Sequence, residues 1–165
     1  MLIAFFLFEF FAEISKNSQD LNAAALGDGT TVVRGEIDGR LMHCEDDTDI
    51  HICLFNYQNY KEKNNTILWL GNSQLHAINQ MSELDEPAPA ILSRQLLQDS
   101  TYLLAMSQAN ANLQEHYVIL SYISKLIPLD FLLLPVVFDD LRETGVRDSI
   151  KRLFDDIYID STNDQ

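Results

Sequence analysis

A chain of 165 residues with 47% hydrophobic content has enough material for one domain-sized core and is not a disordered polymer. Its 11 basic residues stand against 25 acidic ones, a net charge of −14. Such a surface repels phosphate backbones and anionic lipid headgroups, so no nucleic acid is expected as a partner.

Residues 1–21 begin MLIAFFLFEFFAEISK, an apolar run broken by Glu9 and Glu13. Three readings stand: the remnant of a longer membrane anchor, a degenerate secretory signal without its basic n-region, or an amphipathic helix packed on the domain. The Phe-rich composition suits lipid better than a soluble core, which favours the anchor and an extracytoplasmic, membrane-associated chain.

Residues 22–65 read as a linker followed by a small β-rich section. TTVVRGEI, RLMHC and IHICLFNY resemble short strands, separated by turn residues Asp38-Gly39 and Asp46-Asp47. Cys44 and Cys53 would face each other in such a hairpin. They are read as unpaired, as a disulfide, or, with His43 and His51, as metal ligands; their spacing matches no standard zinc pattern. The acidic runs, CEDDTD among them, fit solvated loops, and no EF-hand loop is present. No metal or cofactor is expected. Asn64-Asn65-Thr66 matches a glycosylation sequon.

From residue 66 the pattern becomes regular. TILWLG is apolar without alternation, as a strand buried on both faces would be. NSQLHAINQM is read as the start of a helix, with Leu75 and Ile78 inward, and AILSRQLLQ as a short helix after a loop holding Pro87 and Pro89. STYLLAMS is a second strand. Leu113, Tyr117, Leu120, Ile123 and Ile127 then form the stripe of an amphipathic helix ended by Pro128. LDFLLLPVVF (129–138) is a third strand, followed by a helix-like segment with acidic residues first and Lys151-Arg152 later. Strand and helix in alternation predict an α/β fold, a three-layer sandwich around a parallel sheet of flavodoxin-like type. Its carboxyl edge would gather three polar loops: Gly71-Asn72-Ser73, Ser107 to Asn112, and Phe138 to Arg142.

ILWLGNSQ resembles the first block of the SGNH (GDSL-like) hydrolases, in which a strand ends in Gly-Asp-Ser or Gly-Asn-Ser and the serine is the nucleophile. The likeness extends loosely over residues 66 to about 155, so 66–165 reads as a partial domain. It is nearest to membrane-anchored relatives that modify cell-surface polymers. The resemblance implies Ser73 as nucleophile, with its own N–H binding the oxyanion and the helix after it favouring negative charge. The family's second block supplies a glycine N–H, whereas here SQANANLQEH has none, leaving Ala109, Asn110 or Ala111 as donor. In the third block Asp139 stands where the family has an asparagine, a carboxylate that would repel an oxyanion; Asn110 or Asn112 could substitute. The family's Asp-x-x-His pattern is missing, which implies either a fragment or a protein that has lost catalysis.

Each candidate also has a plainer role. Ser73 suits a helix N-cap, as do Asn110 and Asn112. His76, one turn from Ser73, is a poorly aligned base and a better site liner. His116 reads as a packed or surface residue. Asp139 and Asp140 suit a helix start or a ligand contact. Asn72 joins the ligand-binding set. The leading expectation is a serine esterase or O-acyltransferase relative acting on a small-molecule or carbohydrate acyl substrate, nearly inactive as this chain and prone to self-association through an exposed apolar sheet edge. The second is a non-catalytic α/β binding or assembly module. A nucleotide-binding sheet ranks last, because no Gly-rich phosphate loop is present.

Overall fold

A computed structural model describes residues 32–75, 77–78, 86–136, 138 and 144–152. The chain divides into two units, Met1–Val32 and Val33–Gln165, and the described fold lies in the second. The expectations for residues 1–21, His76, Asp139 and Asp140 fall outside the described residues. Among the described residues no helix is long and apolar enough to cross a membrane.

Among the described residues eight strands and three complete helices follow in chain order. The strands are β1 (Val32–Val33), β2 (Glu36–Ile37), β3 (Arg40–Leu41), β4 (His43–Glu45), β5 (Asn65–Gly71), β6 (Ala77–Ile78), β7 (Thr101–Ser107) and β8 (Phe131–Leu133). The helices are α1 (Asp46–Asn59), α2 (Ala88–Leu97) and α3 (Leu113–Leu126). A four-stranded parallel sheet in the order β4-β7-β5-β8 carries the fold, with helices flanking it. The α/β expectation therefore holds.

The two central strands are the two apolar runs. β7 buries all seven residues and β5 alternates only weakly, because both faces are covered. Even-numbered positions face one core: Leu68 and Leu70 of β5, with Tyr102, Leu104 and Met106 of β7, pack against α1 and α3. The connections β4→β5 and β7→β8 each skip one strand in the same direction, so right-handed crossovers put α1 and α3 on the same face. The connection β5→β7 runs the other way, and α2 packs against β7 and the β2–β3 hairpin. Pro87 caps α2 and Pro89 lies in its first turn, where a missing N–H does no harm. The hairpin turns at Asp38-Gly39 with φ of 50° and 70°, the paired positive values of a two-residue primed turn.

Three expectations are corrected. First, residues 46–59 form a helix instead of the end of a small β-rich section, and β4 joins the parallel sheet as its edge. Ile50, Cys53, Leu54 and Tyr57 recur at i, i+3, i+4 and i+7, and all four are buried. Lys63 ends the helix by donating from Nζ to the carbonyls of Tyr57 and Tyr60, while its ammonium lies 4.2 Å above the Tyr57 ring. Second, Ser73–Leu75 is one 3₁₀ turn followed by β6, not the start of an α-helix. Third, the run 129–138 pairs over Phe131–Leu133 only. Its start is fixed by Asp130, whose side chain accepts from Thr66 N (2.7 Å) and whose N–H donates to Thr66 O (3.0 Å). Pro135 lacks the N–H that further pairing would use.

Cys44 and Cys53 are joined in a disulfide between β4 and α1, with Cα atoms 6.2 Å apart and both residues fully buried. Of the three readings of this pair, the disulfide is the one realised. Removing it by the double change Cys44→Ala/Cys53→Ala is expected to lower unfolding stability by about 2–4 kcal/mol, from lost loop closure plus two small cavities. Urea denaturation of the oxidised protein and the variant measures this. Burial of both sulfurs also means that reduction of the native protein should be slow and should accelerate only in denaturant.

Candidate functional site

The register of the two central strands sets the site. β5 and β7 pair from Asn65↔Thr101 through Gly71↔Ser107, so both strands end level. The Gln108 N–H closes the ladder on the Gly71 carbonyl at 3.0 Å. The turn carrying Ser73 and the loop 108–112 therefore leave the carboxyl edge of the sheet side by side. This edge is where open α/β sheets bind ligands.

Gly71 leaves room for the Leu75 side chain. A Cβ there would lie 2.5 Å from Leu75 Cδ1 and 2.6 Å from its Cγ, because Leu75 folds back over the end of the strand. Asn72 holds the turn: its Oδ1 accepts from Gln74 N (3.0 Å) and its carbonyl from Leu75 N (3.1 Å). Asn72, rather than Ser73, is thus the capping residue. Ser73 is half-buried at the first position of the turn. A three-residue 3₁₀ turn has no appreciable macrodipole, so the helix field expected to favour an oxyanion at Ser73 is absent.

Across β7, sequence reasoning missed a buried serine–histidine pair. His43 on β4 and Ser107 at the end of β7 share the odd-numbered face, with His43 Nε2 2.6 Å from Ser107 Oγ. The Gly35 N–H donates to His43 Nδ1 at 3.5 Å. Which of Nε2 and Oγ donates depends on the imidazole tautomer, and the long Gly35 contact favours the one in which Nε2 carries the proton. A general base needs the opposite tautomer, with Nε2 accepting from the serine. In the tautomer that Gly35 favours, the pair is a buried clamp between β4 and β7. As a strand histidine His43 suits a surface or a packed face as well as a metal site, and nothing local in the sequence signals a partner 64 residues away.

Loop 108–112 leads into the α3 N-terminus. Asn112 caps it, Oδ1 accepting from Gln114 N (2.9 Å) and Glu115 N (3.0 Å), while its own N–H donates to Glu115 Oε2 (3.4 Å) to complete a capping box. Its Nδ2 donates to the Gly145 carbonyl at 2.8 Å. Asn112 is therefore committed to structure. Asn110 has φ 51°, a left-handed conformation that asparagine tolerates, and is exposed. His116, inside the first turn of α3, is buried.

Glu115 is the anchor of this corner. It is 1% exposed and takes the Arg147 guanidinium on both carboxylate oxygens, Nε to Oε1 at 2.7 Å and Nη2 to Oε2. The Arg147 N–H adds a third bond to Oε1 at 3.0 Å, and Arg147 Nη1 donates to Ala109 O at 2.9 Å. Gln114 Oε1 accepts from Gly145 N at 2.7 Å, and Gly145 adopts φ 101°, a conformation open to glycine. Segment 144–147 is thereby pinned to α3. Between them lies a cleft of about 390 Å³ lined by Asn110, Asn112, Glu115 and the segment Thr144, Gly145, Val146 and Arg147. Glu115 and Arg147 had not been singled out in the sequence; an N3 glutamate after Asn112 was the available signal. Among the described residues no group of three His, Cys, Asp or Glu gathers as a metal site.

No protein-family model matches the chain, and no match is found among curated proteins or solved structures.

Burial alone would raise the Glu115 pKa, but the Arg147 side chain and the N–H groups of Arg147 and Asn112 outweigh it and leave the carboxyl below its ordinary value. A carboxylate depressed in the folded state contributes stability above its unfolded pKa and loses it as pH falls through the folded value. Glu115→Gln is therefore expected to cost about 1–3 kcal/mol at neutral pH and to flatten the acid limb of the stability–pH curve. Denaturant melts of both proteins from neutral pH to below the ordinary glutamate range check this.

Proposed function

We propose that this chain carries a three-layer α/β domain of SGNH-hydrolase-like type, related to serine esterases and O-acyltransferases of cell-surface carbohydrate. Ser73 is the nucleophile that takes up the acyl group. One observation carries the reading. The turn bearing Ser73 leaves β5 at a point where successive connections diverge, α2 leading back to β7 on one side and α3 leading to β8 on the other. That is the topological switch point at which open sheets form a ligand crevice. Gly71, packed under Leu75, keeps the turn tight, and Asn72 uses the N–H groups of Gln74 and Leu75. The donor left in the turn for a developing oxyanion is the N–H of Ser73 itself. The Cys44–Cys53 disulfide supports an oxidising location, on the extracytoplasmic side of a membrane.

A second reading, a binding module without chemistry, has its own support. The Gly35 contact favours the tautomer in which His43 donates to Ser107, and Asn112 is spent on a helix cap. Labelling with a fluorophosphonate probe followed by peptide mass spectrometry separates the two. The esterase reading expects an adduct on Ser73 that Ser73→Ala abolishes and Ser107→Ala leaves intact. An adduct on Ser107 would move the nucleophile to the wrong strand, and a folded protein that takes no label would leave the binding module standing.

A further inference from the structure

The cleft between loop 108–112 and segment 144–147 is built more firmly than a surface loop needs. Every polar group on its floor is already engaged. Glu115 meets Arg147 on both carboxylate oxygens, Asn112 is divided between the α3 cap and Gly145 O, and Gly145 N is held by Gln114. Two polar side chains on its rim are not engaged: the Asn110 amide and the Thr144 hydroxyl are both exposed and make no hydrogen bond among the described residues. Asn110 is held in a left-handed conformation, which sets the direction of its Cα–Cβ bond. A rigid floor with a few uncommitted polar groups at the rim is the pattern of a preformed ligand site.

Charge decides the ligand class. Arg147 is neutralised by Glu115, so the cleft presents no unbalanced cation. The chain as a whole carries −14 and repels anions. An amide offers both a donor and an acceptor, and a hydroxyl does the same, a set that matches sugar hydroxyls. We infer that this cleft binds a neutral, hydroxyl-rich glycan. It rests on the esterase reading only for its role, which is to hold the carbohydrate beside the Ser73 turn, since Gly71 and Ser107 end level on the same sheet edge.

The test is titration of the full chain with a panel of neutral tetrasaccharides (gluco-, manno-, xylo- and N-acetylated chito-), read by calorimetry or by NMR shifts. Saturable binding of at least one is expected, with a dissociation constant on the order of millimolar, insensitive to salt. Asn110→Gly/Thr144→Val, with glycine chosen because Asn110 sits at φ 51°, should weaken it by about tenfold or more, equivalent to about 1.4 kcal/mol. Lys125→Ala, at the far end of α3, should not. Both substituted groups are exposed, so an unchanged melting temperature is expected and is checked in parallel. No saturation by any neutral glycan, binding unaffected by the double change, or tighter and salt-dependent binding of an oligogalacturonate would each overturn the inference. Ser73→Ala should bind the glycan like the parent protein. A parent protein that binds the glycan but takes no fluorophosphonate label on Ser73 would sink the nucleophile and leave the cleft standing.

Discussion

The parallel ladder between β5 and β7 is the constraint on which the rest of the structure depends. Seven residue pairs run from Asn65↔Thr101 to Gly71↔Ser107. Leu68, Leu70, Leu103 and Leu104 along it are at most 1% exposed, and each such side chain contributes about 1.5–3 kcal/mol through burial. Strands buried on both faces do not select their register by hydrophobicity alone, because a one-residue slip exchanges one apolar face for another. Polar contacts at the ends set it instead. Ser100 O accepts from the N–H groups of Asn64 and Asn65 at one end, and Gln108 N donates to Gly71 O at the other. Tyr57 OH, 3.0 Å from Thr66 Oγ1, ties the start of β5 to α1. The consequence for function is geometric: the Ser73 turn and loop 108–112 leave the sheet together.

Around this ladder the buried polar groups act as clamps. His43 and Ser107 join β4 to β7, and Glu115 and Arg147 join α3 to the segment that follows 144. Neither pair is a large net source of stability, because desolvation offsets most of the attraction. What each does is exclude alternatives: a shifted β4 would leave an imidazole buried without its acceptor, and a displaced 144–147 segment would leave a carboxylate buried without its cation. Phenolic groups are treated similarly. Tyr102 is packed edge-on to Tyr57, its ring centroid 5.2 Å away, and burial pushes its pKa up to about 12. The chemistry of the edge is thus divided between groups that hold the fold and a smaller set, Ser73, Asn110 and Thr144, that the fold leaves available.

Much of the sheet was legible in the sequence because it depends on unbroken apolar runs. TILWLG and STYLLAMS are β5 and β7, and the helix expected after them is α3. Of the stripe Leu113, Tyr117, Leu120, Ile123 and Ile127, however, only Ile123 and Ile127 are buried: Tyr117 is exposed, and the buried face runs through Val118, Ile119, Tyr122 and Ile123. The misreadings share a physical cause. IHICLFNY alternates at short range and so resembles a strand, yet Ile50, Cys53, Leu54 and Tyr57 also satisfy a helical repeat; the deciding factor, a sheet face needing cover beside Leu104 and Met106, is tertiary. At Ser73, Leu75 folds back onto Gly71 and tightens the backbone into a 3₁₀ turn, which propensity does not encode. In 129–138 apolarity outran pairing, because β8 is an edge strand whose three residues are all exposed. The His43–Ser107 and Glu115–Arg147 pairs span 64 and 32 residues, and nothing in one sequence shows contacts over such separations.

The site exists only if Gly71 and Ser107 end level at the same sheet edge. Scalar coupling through the hydrogen bond between the Gln108 amide nitrogen and the Gly71 carbonyl carbon, measured by NMR on the isotopically labelled protein, reads that register directly. A resolved coupling between those two nuclei is the expected result. Coupling of the Gln108 amide to a different carbonyl of β5, or rapid solvent exchange of that amide in the folded protein, would separate the Ser73 turn from loop 108–112 and contradict the site.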